Sequence, residues 1–135
     1  MAPAPEGIAD GEAEMNVLLI DGDDDLVRRL RHLLEPQGVR VIVAADGLTG
    51  VEAAHAERPD LILIDSDLAR LSGLEAVRII KAVRSLAEIP VVMMTAAADP
   101  ETIKEAVDVG VVDFLLKPSL RDGSGAERIL KRLRP

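Results

Sequence analysis

The stretch that decides the fold is LILIDSDLARLSG, residues 61 to 73. Its first four residues, Leu61 to Ile64, are apolar without alternation and run straight into Asp65, with a second carboxylate at Asp67. An unbroken apolar run of this length fits a strand buried on both faces of a parallel sheet. Two other segments end in the same manner: Val17-Leu18-Leu19-Ile20 before Asp21, and Val91-Val92-Met93-Met94 before Thr95. Two weaker candidates, VRVIVA at 39–44 with Arg40 inside and the short DFLLK at 113–117, suit the edges of a sheet.

Helical patterns lie between these runs. Leu26, Leu30, Leu33 and Leu34 fall on one helical face, and that helix should stop near Pro36 and Gly38. Leu48 to Ala56 reads as a second helix entered through Asp46-Gly47. Ser72-Gly73-Leu74-Glu75 is a capping-box pattern that opens a third, with Ala76, Val77, Ile80 and Val83 turned inward. Asp99-Pro100-Glu101 gives a fourth its cap, its first-turn proline and an acid at the positive end of the dipole, and Gly110 closes it. A short fifth covers about 126 to 133, after a flexible RDGSG. Strand and helix therefore alternate five times. Short right-handed crossovers, with the apolar runs central and the weak ones at the edges, predict an α/β three-layer sandwich: a flavodoxin-like (βα)5 fold with parallel strand order 2-1-3-4-5.

The totals agree. At 135 residues the chain makes one domain, and 48% hydrophobic residues suffice for its core. Residues 1–15 are Pro, Ala, Gly and acid without periodicity, which predicts a disordered tail before a domain at 16–135. The absence of Cys excludes disulfides and thiolate chemistry. A net charge of −8 argues against binding of nucleic acid or anionic lipid. No membrane-length apolar run and no signal peptide are present, so a cytoplasmic protein is expected.

In such sheets ligands bind beyond the carboxyl ends of the strands, at the switch point between the first and third. Asp21 and Asp65 should therefore be neighbours, with Thr95 and Lys117 beside them. Two ionised carboxylates ~6 Å apart repel by about 3 kcal/mol at an effective dielectric of about 20, so a cation should occupy the site or one acid stay protonated. Mg²⁺ takes carboxylate oxygens, keeps waters and accepts phosphate oxygens, and a hydroxyl and an ammonium can donate to a phosphoryl group. That points to an aspartyl phosphate, with a carboxylate as nucleophile.

These residues together resemble the receiver domain of two-component response regulators, of the chemotaxis-regulator type. The match is carried by Asp21, by Asp65 with Gly73 eight positions on, by Thr95-Ala96 and by Lys117-Pro118. The resemblance implies that Asp65 is the phosphoacceptor, charged from a phosphohistidine on a sensor histidine kinase or a histidine phosphotransfer protein. It implies that Asp21, Asp65 and the backbone carbonyl of Asp67 hold Mg²⁺, and that Thr95 and Lys117 bind the phosphoryl oxygens. Thr95 and Phe114 would be the switch residues, and Pro118 would follow a cis bond. The helix from Asp99, the 113–117 strand and the last helix would form a signalling surface or a homodimer face. The protein would be a signalling phosphoacceptor, catalysing at most its own phosphorylation and dephosphorylation.

The chain departs from the family at Gly22, where a second acid usually stands, and at Leu68-Ala69 and Ser72. The site is thus short of one ligand. Asp23, Asp24 and Asp25 read as caps of the first helix or, alternatively, as ligands; Asp67 reads as metal site or solvated loop. His32 should be exposed, His55 partly buried in the second helix, and Arg28, Arg29 and Arg31 a solvated face or a partner contact. Gly22 also raises an alternative function, a pseudo-receiver that binds proteins without phosphorylation. A phosphatase built on Asp65-Ser66-Asp67 is disfavoured, because the known D-x-D enzymes carry that motif after their first strand.

Overall fold

The computed structural model describes residues 15–97 and 99–134. The strands are β1 (Met15–Ile20), β2 (Val39–Ala44), β3 (Leu61–Asp65), β4 (Val91–Thr95) and β5 (Val111–Leu116). The helices are α1 (Asp24–Leu34), α2 (Gly47–Glu57), α3 (Gly73–Ala82), α4 (Pro100–Val109), α5 (Lys117–Arg121) and α6 (Ala126–Leu133). All strand pairings are parallel and the order is β2-β1-β3-β4-β5. The tail expected at the start lies outside the described residues, except for Met15, which opens β1.

The unalternating strands are buried on both faces because helices cover both. Val17 and Leu19 of β1 face α1, α5 and α6, joining Leu26, Leu30, Leu34, Leu120, Ile129 and Leu133. Leu18 and Ile20 face the other way, toward Ala54 of α2, Ala76, Val77 and Ile80 of α3, and Ala106 of α4. Each fully buried Leu or Ile contributes about 1.5–3 kcal/mol of apolar burial, so two such layers hold the sheet between them.

Local chemistry sets the helix ends. The side chain of Asp23 accepts from the backbone N–H groups of Asp25 and Leu26 and caps α1. Asp46 caps α2 through Thr49 N–H, and Asp99 caps α4 through Thr102 N–H. The capping box of α3 is complete: Glu75 N–H donates to Ser72 Oγ and Ser72 N–H to the Glu75 carboxylate. Gly110 ends α4 at φ 112°, in the left-handed region.

Four expectations are corrected. The fifth strand begins at Val111 and ends at Leu116, because its pairing with β4 starts at Val91–Val111 and skips Val112 through a bulge. Lys117, expected as the last strand residue, instead opens a short helix, α5, which ends at Arg121, the first residue of the RDGSG stretch expected to be flexible. The Lys117–Pro118 bond is trans, as no described peptide bond is cis; Pro118 stands in the first turn of α5, where its ring angle suits the helix and its missing N–H has no partner to lose. Finally, α2 turns its small residues Gly47, Gly50 and Ala54 to the sheet. Leu48 and His55 are therefore exposed rather than inward. Leu33 of α1 is half-buried. No described helix is long and apolar enough to cross a membrane.

Candidate functional site

The parallel register levels the strand ends. Ile20 pairs with Ile64, so Asp21 and Asp65 leave adjacent strands side by side. Asp65 pairs with Met94, one residue before Thr95, and Thr95 pairs with Leu116, one residue before Lys117. Among the described residues, the buried polar side chains are Asp21 (2% exposed), Asp65 (6%) and Thr95 (6%). In a core otherwise Leu, Ile, Val, Ala and Met, buried polar groups need a reason.

The two acids are held alike. Asp21 Oδ1 accepts from Asp23 N–H at 2.9 Å, and Asp65 Oδ1 accepts from Asp67 N–H at 3.2 Å. Each N–H lies two residues on, so each turn fixes its own carboxylate and aims the remaining oxygen at the cleft. Lys117 Nζ lies 3.2 Å from Asp21 Oδ2 and 3.0 Å from Asp65 Oδ2. Asp21 Oδ2 is buried, and the Lys117 ammonium is its ion-pair partner. Burial pushes the Asp21 carboxyl above its ordinary range, and Asp65 adds to this, against the Asp23 N–H and Lys117. Burial opposes the Lys117 charge, but the hydrogen bond to Asp65 and the charges of Asp21 and Asp65 outweigh it, so its pKa is raised.

Two clefts open on this cluster. One, of about 290 Å³, is lined by Asp21, Gly22, Asp23, Asp65, Asp67 and Lys117, among others. The other, of about 500 Å³, runs from Asp65 and Lys117 past Thr95 to Thr102. Thr95 Oγ1 donates to Ala97 O at 3.0 Å, within its own loop. Phe114 on β5 is half-buried and packs against the apolar layer beneath α2, α3 and α4. Gly73 lets α3 begin against the end of β3: a Cβ there would stand 2.2 Å from Asp65 O.

The donor set suits a small hard cation that keeps several waters: two buried carboxylates that share a single ammonium, at a cleft also lined by Asp67. Among the described residues no three His, Cys, Asp or Glu converge tightly enough to form an all-protein metal cage. Gly22 is one cause. Asp23 is the other, since its Oδ1 caps α1 and its Oδ2 is ion-paired with Arg121. Asp24 and Asp25 lie in the first turn of α1. Arg121 was invisible to sequence reasoning, being 98 positions from its partner. His32 is exposed and lies with Asp25, Arg28, Arg29 and Arg121 around a separate groove of about 390 Å³.

Residues 17–130 match the family model described as the response regulator receiver domain. The transcriptional regulatory protein CseB of Streptomyces avermitilis is 36% identical over 107 residues, covering 78% of this chain and 44% of its own length. Protein RcaC of Microchaete diplosiphon is 31% identical over 126 residues, 93% of this chain and 19% of its own. The chain spans less than half the length of these curated relatives. Among solved structures, chemotaxis protein CheY4 of Vibrio cholerae superposes with a TM-score of 0.81 at 27% identity, over 90% of this chain and 99% of that one. The receiver domain of a sensor histidine kinase from Pseudomonas aeruginosa, with a magnesium ion coordinated in its active site cleft, gives 0.78 at 31% identity, over 90% and 98%.

Proposed function

The chain belongs to the response regulator receiver domain family, and from that premise we propose that Asp65 accepts a phosphoryl group from a phosphohistidine partner in a Mg²⁺-dependent step. The supporting observation is the ammonium of Lys117, 3.0 Å from Asp65 Oδ2 and 3.2 Å from Asp21 Oδ2. A carboxylate oxygen of Asp65 attacks phosphorus. The O–P bond forms as the P–N bond breaks, the electron pair leaves with the imidazole, and the imidazole regains a proton from water. The product is an acyl phosphate.

Asp21, Asp65 and the Asp67 carbonyl would hold Mg²⁺, whose chemistry is to neutralise phosphoryl oxygens. Lys117 faces the nucleophile and meets the charge that develops on the incoming group. Thr95 gives up the Ala97 carbonyl and donates its hydroxyl to the phosphoryl group. Phe114, on the strand beside it, follows that movement inward, altering the face made by α4, β5 and α6. Val107, Val112 and Leu116 on that face are 55%, 47% and 47% exposed, which suits a homodimer or a downstream partner. The arginine-bordered groove beside α1 suits the kinase or phosphotransfer protein.

Incubation with acetyl phosphate and Mg²⁺ should add one phosphoryl group by intact mass, and Asp65→Asn should abolish it. No mass gain under conditions that charge an ordinary receiver would count against the reading. A second reading, a protein-binding module independent of phosphorylation, draws support from Gly22. There, Mg²⁺ at millimolar concentration should produce no saturable change.

A further inference from the structure

We propose that Asp23 is the third carboxylate of this cation site, replacing the acid missing at Gly22, and that the Arg121 guanidinium and a divalent cation are alternative partners for it. The proposal rests on the receiver reading above and adds a ligand and a competitor to it.

Four observations carry the proposal. A side chain at position 22 is hindered, since a Cβ on Gly22 would stand 3.0 Å from Ala45 O, a backbone atom that moves only with the end of β2. The next acid, Asp23, lines the same cleft as Asp21, Asp65 and Asp67. Its two oxygens have separate duties. Oδ1 accepts from Asp25 N–H at 3.1 Å and Leu26 N–H at 3.2 Å, capping α1, while Oδ2 is ion-paired with Arg121. Oδ2 can therefore change partner without loss of the cap. Lastly, the buried Asp21 (2% exposed) lines this cleft too, its Oδ2 ion-paired with Lys117 at 3.2 Å, and the Asp23 N–H bound to Asp21 Oδ1 ties the two acids into one turn. One ammonium shared by the two buried acids leaves a net negative charge in this cleft, which a cation would neutralise.

The placement of α5 makes the competition specific. Lys117 at its first residue engages Asp21 and Asp65, and Arg121 at its last engages Asp23. Arg29 Nε donates to Arg121 O at 2.8 Å, anchoring the backbone at that end independently of the Arg121 side chain. The guanidinium can thus leave while α5 stays in place. Its side chain is 49% exposed and that of Asp23 31%, so the pair is a weak one that a cation can displace.

The test is calorimetric titration of the full chain with Mg²⁺ alone, in wild type, Arg121→Gln, Asp23→Asn, the double variant and Asp21→Asn. Asn retains the N-cap, and far-UV circular dichroism checks folding. Arg121→Gln should tighten Mg²⁺ by about two- to five-fold, the range an exposed ion pair commands. Asp23→Asn should weaken it on the order of tenfold. In the Asp23→Asn background, Arg121→Gln should have no effect. An undiminished gain in that background would reduce Arg121 to a diffuse positive field and overturn the proposal, as would unchanged affinity in Asp23→Asn. Loss of binding in Asp21→Asn alongside an unaffected Asp23→Asn would remove this inference and leave the receiver site standing. No change in Asp21→Asn, or no saturable binding by wild type and Arg121→Gln, would remove both.

Discussion

Replacing Lys117 with Met tests the electrostatics of the site. Nζ is 3.0 Å from Asp65 Oδ2 and 3.2 Å from Asp21 Oδ2, so the two carboxylate oxygens are at most about 6 Å apart. Met fills a similar volume but leaves two negative charges facing each other. At an effective dielectric of about 20, the uncovered repulsion is about 3 kcal/mol, reduced somewhat because an ammonium is no longer desolvated. The metal-free variant should therefore lose about 2 kcal/mol at pH 7, lowering the urea midpoint by roughly 1 M. Without Trp or Tyr, unfolding is best followed by circular dichroism at the helical band. The loss should depend on pH. Lys117 lowers the Asp21 pKa, so its removal raises further a carboxyl already raised by burial. A group with a raised folded-state pKa stabilises the fold below its unfolded value, and that contribution disappears as pH rises through the folded value. Acidification above the ordinary carboxylate value of 3.8 should thus protonate Asp21 in the variant and narrow its deficit. A deficit equal at pH 7 and about pH 4.5 would show that Lys117 acts by packing alone, and the electrostatic account would be refuted.

Three further outcomes are expected. Asp21→Asn should stabilise the metal-free protein at pH 7, because it removes a carboxylate whose pKa burial has raised; the gain should vanish below pH 3.8, as chemical denaturation across pH would show. Gly73→Ala should cost about 1–3 kcal/mol by urea unfolding and depress the proposed phosphorylation, since its Cβ, 2.2 Å from Asp65 O, must push α3 away from Asp65. Ser72→Ala, which removes one half of the α3 capping box, should cost about 1 kcal/mol and leave the Mg²⁺ affinity unchanged in a parallel titration.

The site was legible where a residue ends a strand. Asp21, Asp65 and Thr95 each follow an unbroken apolar run, and a level parallel register brings such ends together. Lys117 was legible too, although its strand had already ended at Leu116. The face of α2 was misread because the periodicity of Leu48 and His55 favours large residues, whereas the helix is close enough to the sheet that Gly47, Gly50 and Ala54 face inward. Small residues carry almost no hydropathy signal, so a pattern search looks past them. Asp23 was open between cap and ligand because sequence gives the N-cap preference but not the second partner.

By itself the sequence determined the alternation of strand and helix, the strand order and the four residues at the sheet's carboxyl rim, because apolar periodicity and capping chemistry act over a few neighbouring positions. Tertiary structure alone decided which charge faces which, Lys117 between Asp21 and Asp65 and Arg121 on Asp23, and it set the trans bond before Pro118. Those pairings join residues up to 98 positions apart. Their strength depends on distance and burial, which exist only once the helices have closed over both faces of the sheet.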